Sequence, residues 1–487
     1  MALDAGTSGV RAVAFGNDLT VVDSQYHELT QFYPRPGEVE HDPAEIVRLS
    51  IEVLTAVAGR QLSLGHRVLA LGITNQRETT IAFDRADGTS QHRAIVWQDR
   101  RTMTQCETLR DAGYLNDVRS TTGLVLDPYF SGTKMRWLLD HGALEGAREP
   151  ALCTVDALVV WHLTGAQRGG LFVTEGTNAS RTMLLDLYSL KWSAAMSTML
   201  GVPTELLPEV RASAGHFGLV SADVCEPLAG VPITGVLGDQ QAALFGQACF
   251  APGTIKATYG TGAFLLTNAG PEVPSAPDGL VGTLAWDLGE FGPRTYALEG
   301  SAFVAGAAIQ WLRDELGFIV ESKDLETLAT SVPDAGGVCF VPAFTGLGSP
   351  FWRPEARGAL SGLTRGSNRA HIARAVFEAQ VFQVRSMTDA FAGAGVPLVE
   401  LRADGGAAAM DTLLDLQATA SRLTVRRASS LEATAKGAAC AAGLAVGVWE
   451  SLDELASLWR SNYEATPGDS ALLDAAYAQW LRAVDRA

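Results

Sequence analysis

The sequence predicts an α/β fold in which helices cover the faces of β-sheets. Strand-like and helix-like segments alternate along the chain, and glycine- or carboxylate-bearing turns recur where strands end. The composition allows it: 487 residues, 47% hydrophobic and only 19% charged, suffice for large buried cores. At about 150 residues per domain, that length corresponds to roughly two to four domains.

The first element is a strand end at Asp4, a turn through Gly6, Thr7, Ser8 and Gly9, and a second strand from Val10 to Phe15. Such a turn offers backbone N–H groups and hydroxyls to a phosphate, with Asp4 able to hold Mg²⁺ through water and Arg11 adding positive charge. It is equally readable as an ordinary hairpin turn with a surface arginine. Only Met1, Ala2 and Leu3 precede Asp4, whereas a strand runs about five or six residues. The expectation is therefore a clipped first strand, or a start that lies upstream.

Asp42-Pro43-Ala44-Glu45 reads as an N-cap, a Pro at the first helical position and a capping-box Glu. The apolar stripe Ile46, Leu49, Val53, Leu54 and Val57 predicts a helix ending at Gly59. Val68–Ile73 follows as a buried strand. The polar run Thr74-Asn75-Gln76-Arg77-Glu78-Thr79-Thr80 then interrupts two apolar segments. Arg77 and Glu78 suit a small polyol, one donating and the other accepting, or else form a surface hairpin salt bridge. Trp97 and Tyr129 stand near polar groups, as an aromatic wall for a carbon chain or simply as core.

The same grammar recurs downstream. A strand at Val231–Val236 leads to Gly238-Asp239-Gln240-Gln241 and a helix over Gln241–Gly246. Asp239 is placed either as a general base at the sheet's carboxyl edge or as a plain N-cap. Tyr259-Gly260-Thr261-Gly262 fits a close phosphate approach or a packing turn. Leu398–Ala403 is a strand whose Asp404-Gly405-Gly406-Ala407 turn leads to a helix from Ala407. The Ala/Gly-rich stretch from Gly437 to Val448 reads as a buried helix. Pro/Gly clusters at 251–253 and 268–282 place a boundary between two halves near residue 250.

Several classes are excluded. Asp plus Glu total 54 against 37 Lys plus Arg, a net charge of −17, which opposes nucleic acid and anionic membranes. No 18-residue apolar run or leader segment is visible. The six cysteines lack CxxC spacing, as expected of reduced thiols in a cytoplasmic protein. No 20–50-residue repeat appears, and Walker A, HExxH and GxSxG motifs are absent.

In this order, the pieces closely resemble the FGGY carbohydrate kinase family, and within it the members that phosphorylate glycerol. The signatures are the run from Gly72 to Thr80, the segment from Asp127 to Lys134, and the segment from Gly238 to Gln247. Further matches are Ala297–Gly300 through Gln310–Asp314, Pro342–Gly348 and Ala403–Gly406. Pentulose kinases of the family resemble the opening turn and the Asp-Gly-Gly turn but lack the Asn-Gln-Arg-Glu-Thr-Thr run.

The resemblance implies two actin-like (ribonuclease-H-like) α/β domains flanking a central cleft. Residues 1–248 would carry the glycerol site and phosphate turn, and residues 249–487 the nucleotide site. It implies ATP and Mg²⁺ as cofactors, glycerol and ATP as partners, and a homo-oligomer, dimer or tetramer. Arg77, Glu78, Tyr129, Asp239 and Gln240 would hold glycerol's hydroxyls, with Trp97 and Phe264 along its carbon face. Asp239 would be the general base, and Asp4 with Asp239 would lie near the metal. Thr7, Ser8, Gly9 and Arg11 would meet nucleotide phosphates, while Thr261, Gly306, Gln310, Gly406 and Met410 would complete the ATP site. The alternatives are a family kinase for another polyol or keto-sugar, and a non-catalytic sugar-sensing relative.

Three departures stand out against the family pattern. Ala5 replaces a usual Gln, and Gly9 and Val10 replace hydroxyl residues, so some phosphate contacts would be backbone only. Met410-Asp411 replaces an Asn pair near the adenine. Ala222–Gly230 lacks the Gly-rich loop that serves fructose-1,6-bisphosphate inhibition in some members, so no such inhibition is expected.

Overall fold

Two sheets dominate the computed structural model, which describes residues 1–430 and 432–487. The first has five strands, in the spatial order Ile233–Gly238, Leu71–Asn75, Ala2–Ala5, Gly9–Phe15 and Val21–Glu28. Ala2–Ala5 runs parallel to Leu71–Asn75 and antiparallel to Gly9–Phe15, with Asp4 opposite Thr74 on one side and Arg11 on the other. The second has seven strands, built on Thr254–Tyr259, Ala263–Gly270 and Arg294–Ala302 in antiparallel succession. Glu400–Asp404 and Thr424–Ala428 continue it in parallel on the other side.

With each sheet's first strand taken as one, both have a core order of 3-2-1-4-5, and the second adds an edge strand at each end. This duplicated α/β plan is the two-domain, actin-like fold that the sequence leads one to expect. Each sheet buries its own apolar cluster, one around Leu3, Val53, Ile73 and Val236, the other around Ile255, Leu298, Phe377 and Leu401.

The predicted elements form, with shifts that have local causes. Asp42 is the N-cap of the Pro43–Ser63 helix, its carboxylate accepting from Ala44 N at 2.9 Å. Glu45 does not close a capping box, because Thr30 N and Oγ1 take its carboxylate instead. The helix runs past Gly59, since Val57, Ala58 and Gln61 bury one face of its last turns; it stops before Gly65, at φ +80°. The strand foreseen at Val68–Ile73 lies at Leu71–Asn75, because its partner strand first pairs at Gly72 and Leu69 is exposed. The strand expected at Leu398–Ala403 is Glu400–Asp404. The helix expected from Ala407 starts at Asp411, after a 3₁₀ turn over Gly406–Ala409 and an extended Met410.

The helix Ala433–Ala445 comes from the second half of the chain but packs on the first sheet and across the helix Asp239–Gly246. Its small residues permit near-contact of backbones. A Cβ on Gly437 would lie 1.8 Å from Ala242 O, and one on Gly72 would lie 2.2 Å from Ala438 O. This junction carries Asp239 at its edge.

Candidate active site between the two sheets

The polar run after Leu71–Asn75 is not a surface hairpin. All seven residues from Thr74 to Thr80 are buried, Arg77 and Glu78 at 2% and 1% exposure. A charged pair so placed must be satisfied internally. Arg77 donates to both carboxylate oxygens of Glu299, at 2.7 and 3.1 Å, to Gln241 Oε1 at 3.1 Å and to Tyr129 Oη at 3.2 Å. Glu78 adopts a left-handed backbone, φ +60°, a conformation that costs a non-glycine residue about 1–3 kcal/mol. Its carboxylate accepts from Arg181 Nε at 2.6 Å.

Asp239 is the first residue of its helix, not the N-cap, which is Gly238. Its carboxylate accepts from Gln240 N at 2.7 Å and lies 3.3 Å from Arg77 Nε. That Nε is buried and has no hydrogen-bond partner among the described residues. Burial raises the Asp239 carboxyl above the usual range, against the opposing pull of Arg77. Gln240 accepts from the buried Lys256 Nζ at 2.5 Å.

Tyr129 is positioned by its own loop. Asp127 accepts from its N–H at 2.8 Å, and the buried Lys134 donates to its carbonyl at 2.7 Å. Trp97 stands edge-on to Tyr129, with ring centroids 5.6 Å apart, and its indole N–H donates to Thr7 Oγ1 at 2.8 Å. That bond joins the aromatic wall to the opening turn. Phe264 pairs with Ser301 in the second sheet, and the alternation of the ladder puts it on the same face as Glu299 and Lys256.

The opening turn has its carbonyls tied back. Gln76 Nε2 donates to Gly6 O, Gln31 Nε2 to Thr7 O, and Leu29 N with Tyr26 Oη to Ser8 O. The N–H groups of Thr7 and Ser8 donate to no described residue. Free amides backed by committed carbonyls make an anion cradle. Asp4, Gly6, Ser8, Gly9 and Arg11 line a cavity of ≈ 220 Å³ there, closed by Glu432 and Thr434 from the other half of the chain. Gly9 has a steric reason: a Cβ there would lie 2.4 Å from the Tyr26 ring. Burial, then repulsion from Asp239, pushes the Asp4 carboxyl up to about 7.

Across the cleft, Thr261 O accepts from Ala305 N at 2.8 Å and Ala307 N at 3.1 Å, and Gly306 N donates to Gly260 O at 2.9 Å. Gln310 is exposed one turn further along the Gly306–Asp314 helix. Gly406 is exposed at the end of Glu400–Asp404, beside Thr254–Tyr259 in the sheet. Met410 differs in that its side chain is buried in the second core, and Asp411 accepts from Arg427 Nη1 at 2.7 Å.

Two residues at the heart of this geometry have no role in the sequence-based site. Arg181 and Glu299 are fully buried, and Glu299 is shared between Arg77 and Arg181. The available signal was a lone charge in each of two buried stretches, Asn178-Ala179-Ser180-Arg181 and Ala297-Leu298-Glu299.

Comparison with known proteins places the chain among carbohydrate kinases. Residues 1–246 fit the model of the N-terminal domain of the FGGY family of carbohydrate kinases, and residues 255–446 fit its C-terminal domain. The chain is 49% identical to a glycerol kinase of Aromatoleum aromaticum, covering 100% of this chain and 98% of that protein. It is 50% identical to a glycerol kinase of Halorhodospira halophila, covering 92% and 89%. A glycerol kinase of Plasmodium falciparum, solved with ADP, superposes with a TM-score of 0.93 at 32% identity, over 99% of this chain and 97% of that one. A xylulose kinase of Lactobacillus acidophilus shares the fold at 19% identity, with a TM-score of 0.89 over 99% and 97%.

Proposed function

This chain belongs to the FGGY family of carbohydrate kinases, and from that premise we propose that it transfers the γ-phosphoryl group of ATP to glycerol, giving glycerol 3-phosphate and ADP. Relatives at 49% and 50% identity over 100% and 92% of the chain are glycerol kinases, which supports glycerol over the pentuloses. One observation in the site carries the reading: the buried Nε of Arg77 has no hydrogen-bond partner among the described residues and lies 3.3 Å from the Asp239 carboxylate. A substrate hydroxyl seated against both groups would accept from Arg77 Nε and donate to the Asp239 carboxylate.

Phosphoryl transfer asks mainly for positioning and charge neutralisation. Arg77, Glu78, Tyr129 and Gln240 would orient the triol, with Trp97 and Phe264 against its carbons. Asp239 would take the proton of the attacking hydroxyl. The free N–H groups of Thr7 and Ser8, with Arg11, would hold nucleotide phosphates, while the turns at Thr261, Gly306 and Gly406, with Gln310, would seat the rest of the nucleotide, Met410 packing in the core behind them.

Asp4 and Asp239 fit Mg²⁺, which takes one or two carboxylates and completes its shell with water and phosphate oxygens. Their mutual repulsion is what a cation would relieve, whereas no cluster of three or more metal-binding side chains exists among the described residues. Bound there, the ion would neutralise charge on the transferring phosphoryl group. No described helix is long and apolar enough to cross a membrane. Six free, buried cysteines support a cytoplasmic setting, and the family resemblance suggests a dimer or tetramer.

The test is a coupled ADP-release assay with glycerol, a panel of other polyols and keto-sugars, and ATP against GTP. Turnover confined to glycerol and ATP is the expected result. Faster turnover of a keto-sugar, or none of any substrate, would overturn the reading.

A further inference from the structure

Arg77 and Glu78, the residues proposed to grip glycerol, do not hold themselves in place. Arg77 leans on Glu299 through two hydrogen bonds, and Glu78 is held by Arg181 Nε at 2.6 Å. Arg181 Nη2 then reaches Glu299 Oε1 at 3.0 Å, linking all four side chains. The Arg181 guanidinium also lies over the rings of Tyr129 and Phe130, at 5.5 and 5.0 Å from their centroids. Glu299 belongs to the second sheet, whereas Arg77, Glu78 and Arg181 belong to the first half of the chain.

The charge arithmetic favours a fixed arrangement. Two guanidiniums and two carboxylates, each at most 2% exposed, balance one another's charge. Burial alone would raise the Glu299 carboxyl, but Arg181 and Arg77 together hold it down at about 2. Removing one member strands a buried charge, so any arrangement that breaks the quartet is disfavoured.

We propose that Arg181 and Glu299 are positioning residues: a buried brace that fixes Arg77 and Glu78 and so dictates which end of glycerol is presented to Asp239. This inference rests on the glycerol reading. Glycerol is prochiral, with two CH₂OH arms that differ only in how the middle carbon is held. Selecting one arm requires at least three fixed contacts, and Arg77, Glu78 and Asp239 supply them only while their relative orientation is rigid. Loosening Arg77 and Glu78 would let either arm reach Asp239, giving both enantiomers of glycerol phosphate. A residue that merely stabilised the fold would leave the product's handedness alone.

The experiment compares wild type with Arg181→Lys and Glu299→Asp. Lysine keeps the charge but cannot fork between Glu78 and Glu299, and aspartate keeps the charge but shortens the reach to Arg77. In folded variants the KM for glycerol should rise about tenfold or more, the scale of a lost charged hydrogen bond, with the KM for ATP unchanged. Enantiomer analysis of the product should show a single form from wild type and a mixture from the variants. Unchanged glycerol KM with a single enantiomer, or KM values for both substrates rising in parallel, overturns the brace. If neither variant folds, the quartet is a folding element and the proposal falls. A wild type that does not turn over glycerol defeats the underlying reading instead, so the two failures are distinct.

Discussion

Asp239 is caught between opposing influences: burial raises its carboxyl, while Arg77 and the Gln240 N–H pull it down. The balance leaves it more basic than a surface aspartate, as suits a group that takes a proton near neutral pH. On that role, Asp239→Asn should lower kcat by about 10²–10⁴ while the protein stays folded; near-normal turnover would remove Asp239 as the base. Asp4 makes a prediction of its own. Its carboxyl is pushed from 3.8 up to about 7 by burial and by Asp239. Between those values the folded chain holds a proton that the unfolded chain has shed, so this group makes stability fall as pH rises from 4 to 7. Asp4→Asn, free of that penalty, should melt higher than wild type at pH 8 without Mg²⁺, and the gap should narrow at pH 5. A gap that is absent or widens toward pH 5 would contradict the raised Asp4 carboxyl.

At the scale of elements, the crossing of Asp239–Gly246 with Ala433–Ala445 ties the proposed base to the other half of the chain. The approach is set by backbone: a Cβ on Gly437 would press on Ala242 O at 1.8 Å, where no flexible side chain can yield. Gly437→Ala should therefore destabilise by about 1–3 kcal/mol, the usual cost of overpacking, and should lower kcat because the displaced helix carries Asp239. Urea unfolding and kinetics on one preparation would test both; loss of stability without any change in kcat would uncouple this junction from the site. Much of this scale was legible in the chain, because alternation, caps and glycine turns are local signals. The buried helix near Gly437, the opening hairpin and the strand before Asp239 could all be read from short windows. What could not be read depends on distant partners. Whether Arg77 and Glu78 lie on a surface or in a core is decided by Arg181 and Glu299, more than 100 residues away in sequence. Glu45 likewise looks like a capping residue until Thr30 claims its carboxylate. Gly9, puzzling as a lost hydroxyl, makes room for Tyr26 from the neighbouring strand.

At the scale of the whole molecule, a chain of net charge −17 must bring a polyanionic nucleotide into its cleft, so positive charge near the phosphates has to be local. Arg11 is the cation of the opening turn, and it is already engaged: Glu432, at the start of the helix Ala433–Ala445, accepts from its Nη1 at 2.5 Å. The pair joins the first sheet to the second half of the chain across the cavity beside Asp4. Nucleotide phosphates entering that cavity would compete with Glu432 for the same guanidinium. Because the two side chains are 38% and 28% exposed, solvent weakens the pair, and breaking it costs about 1 kcal/mol at most. Glu432→Gln should thus lower the KM for ATP by up to about fivefold while leaving the KM for glycerol unchanged, since Arg77 and Glu78 make no contact with Glu432. The gain should shrink as salt rises, because a partly exposed pair is screened already at high ionic strength. An ATP KM that stays the same or rises at low salt would mean that Glu432 helps to build the phosphate site rather than competing for it.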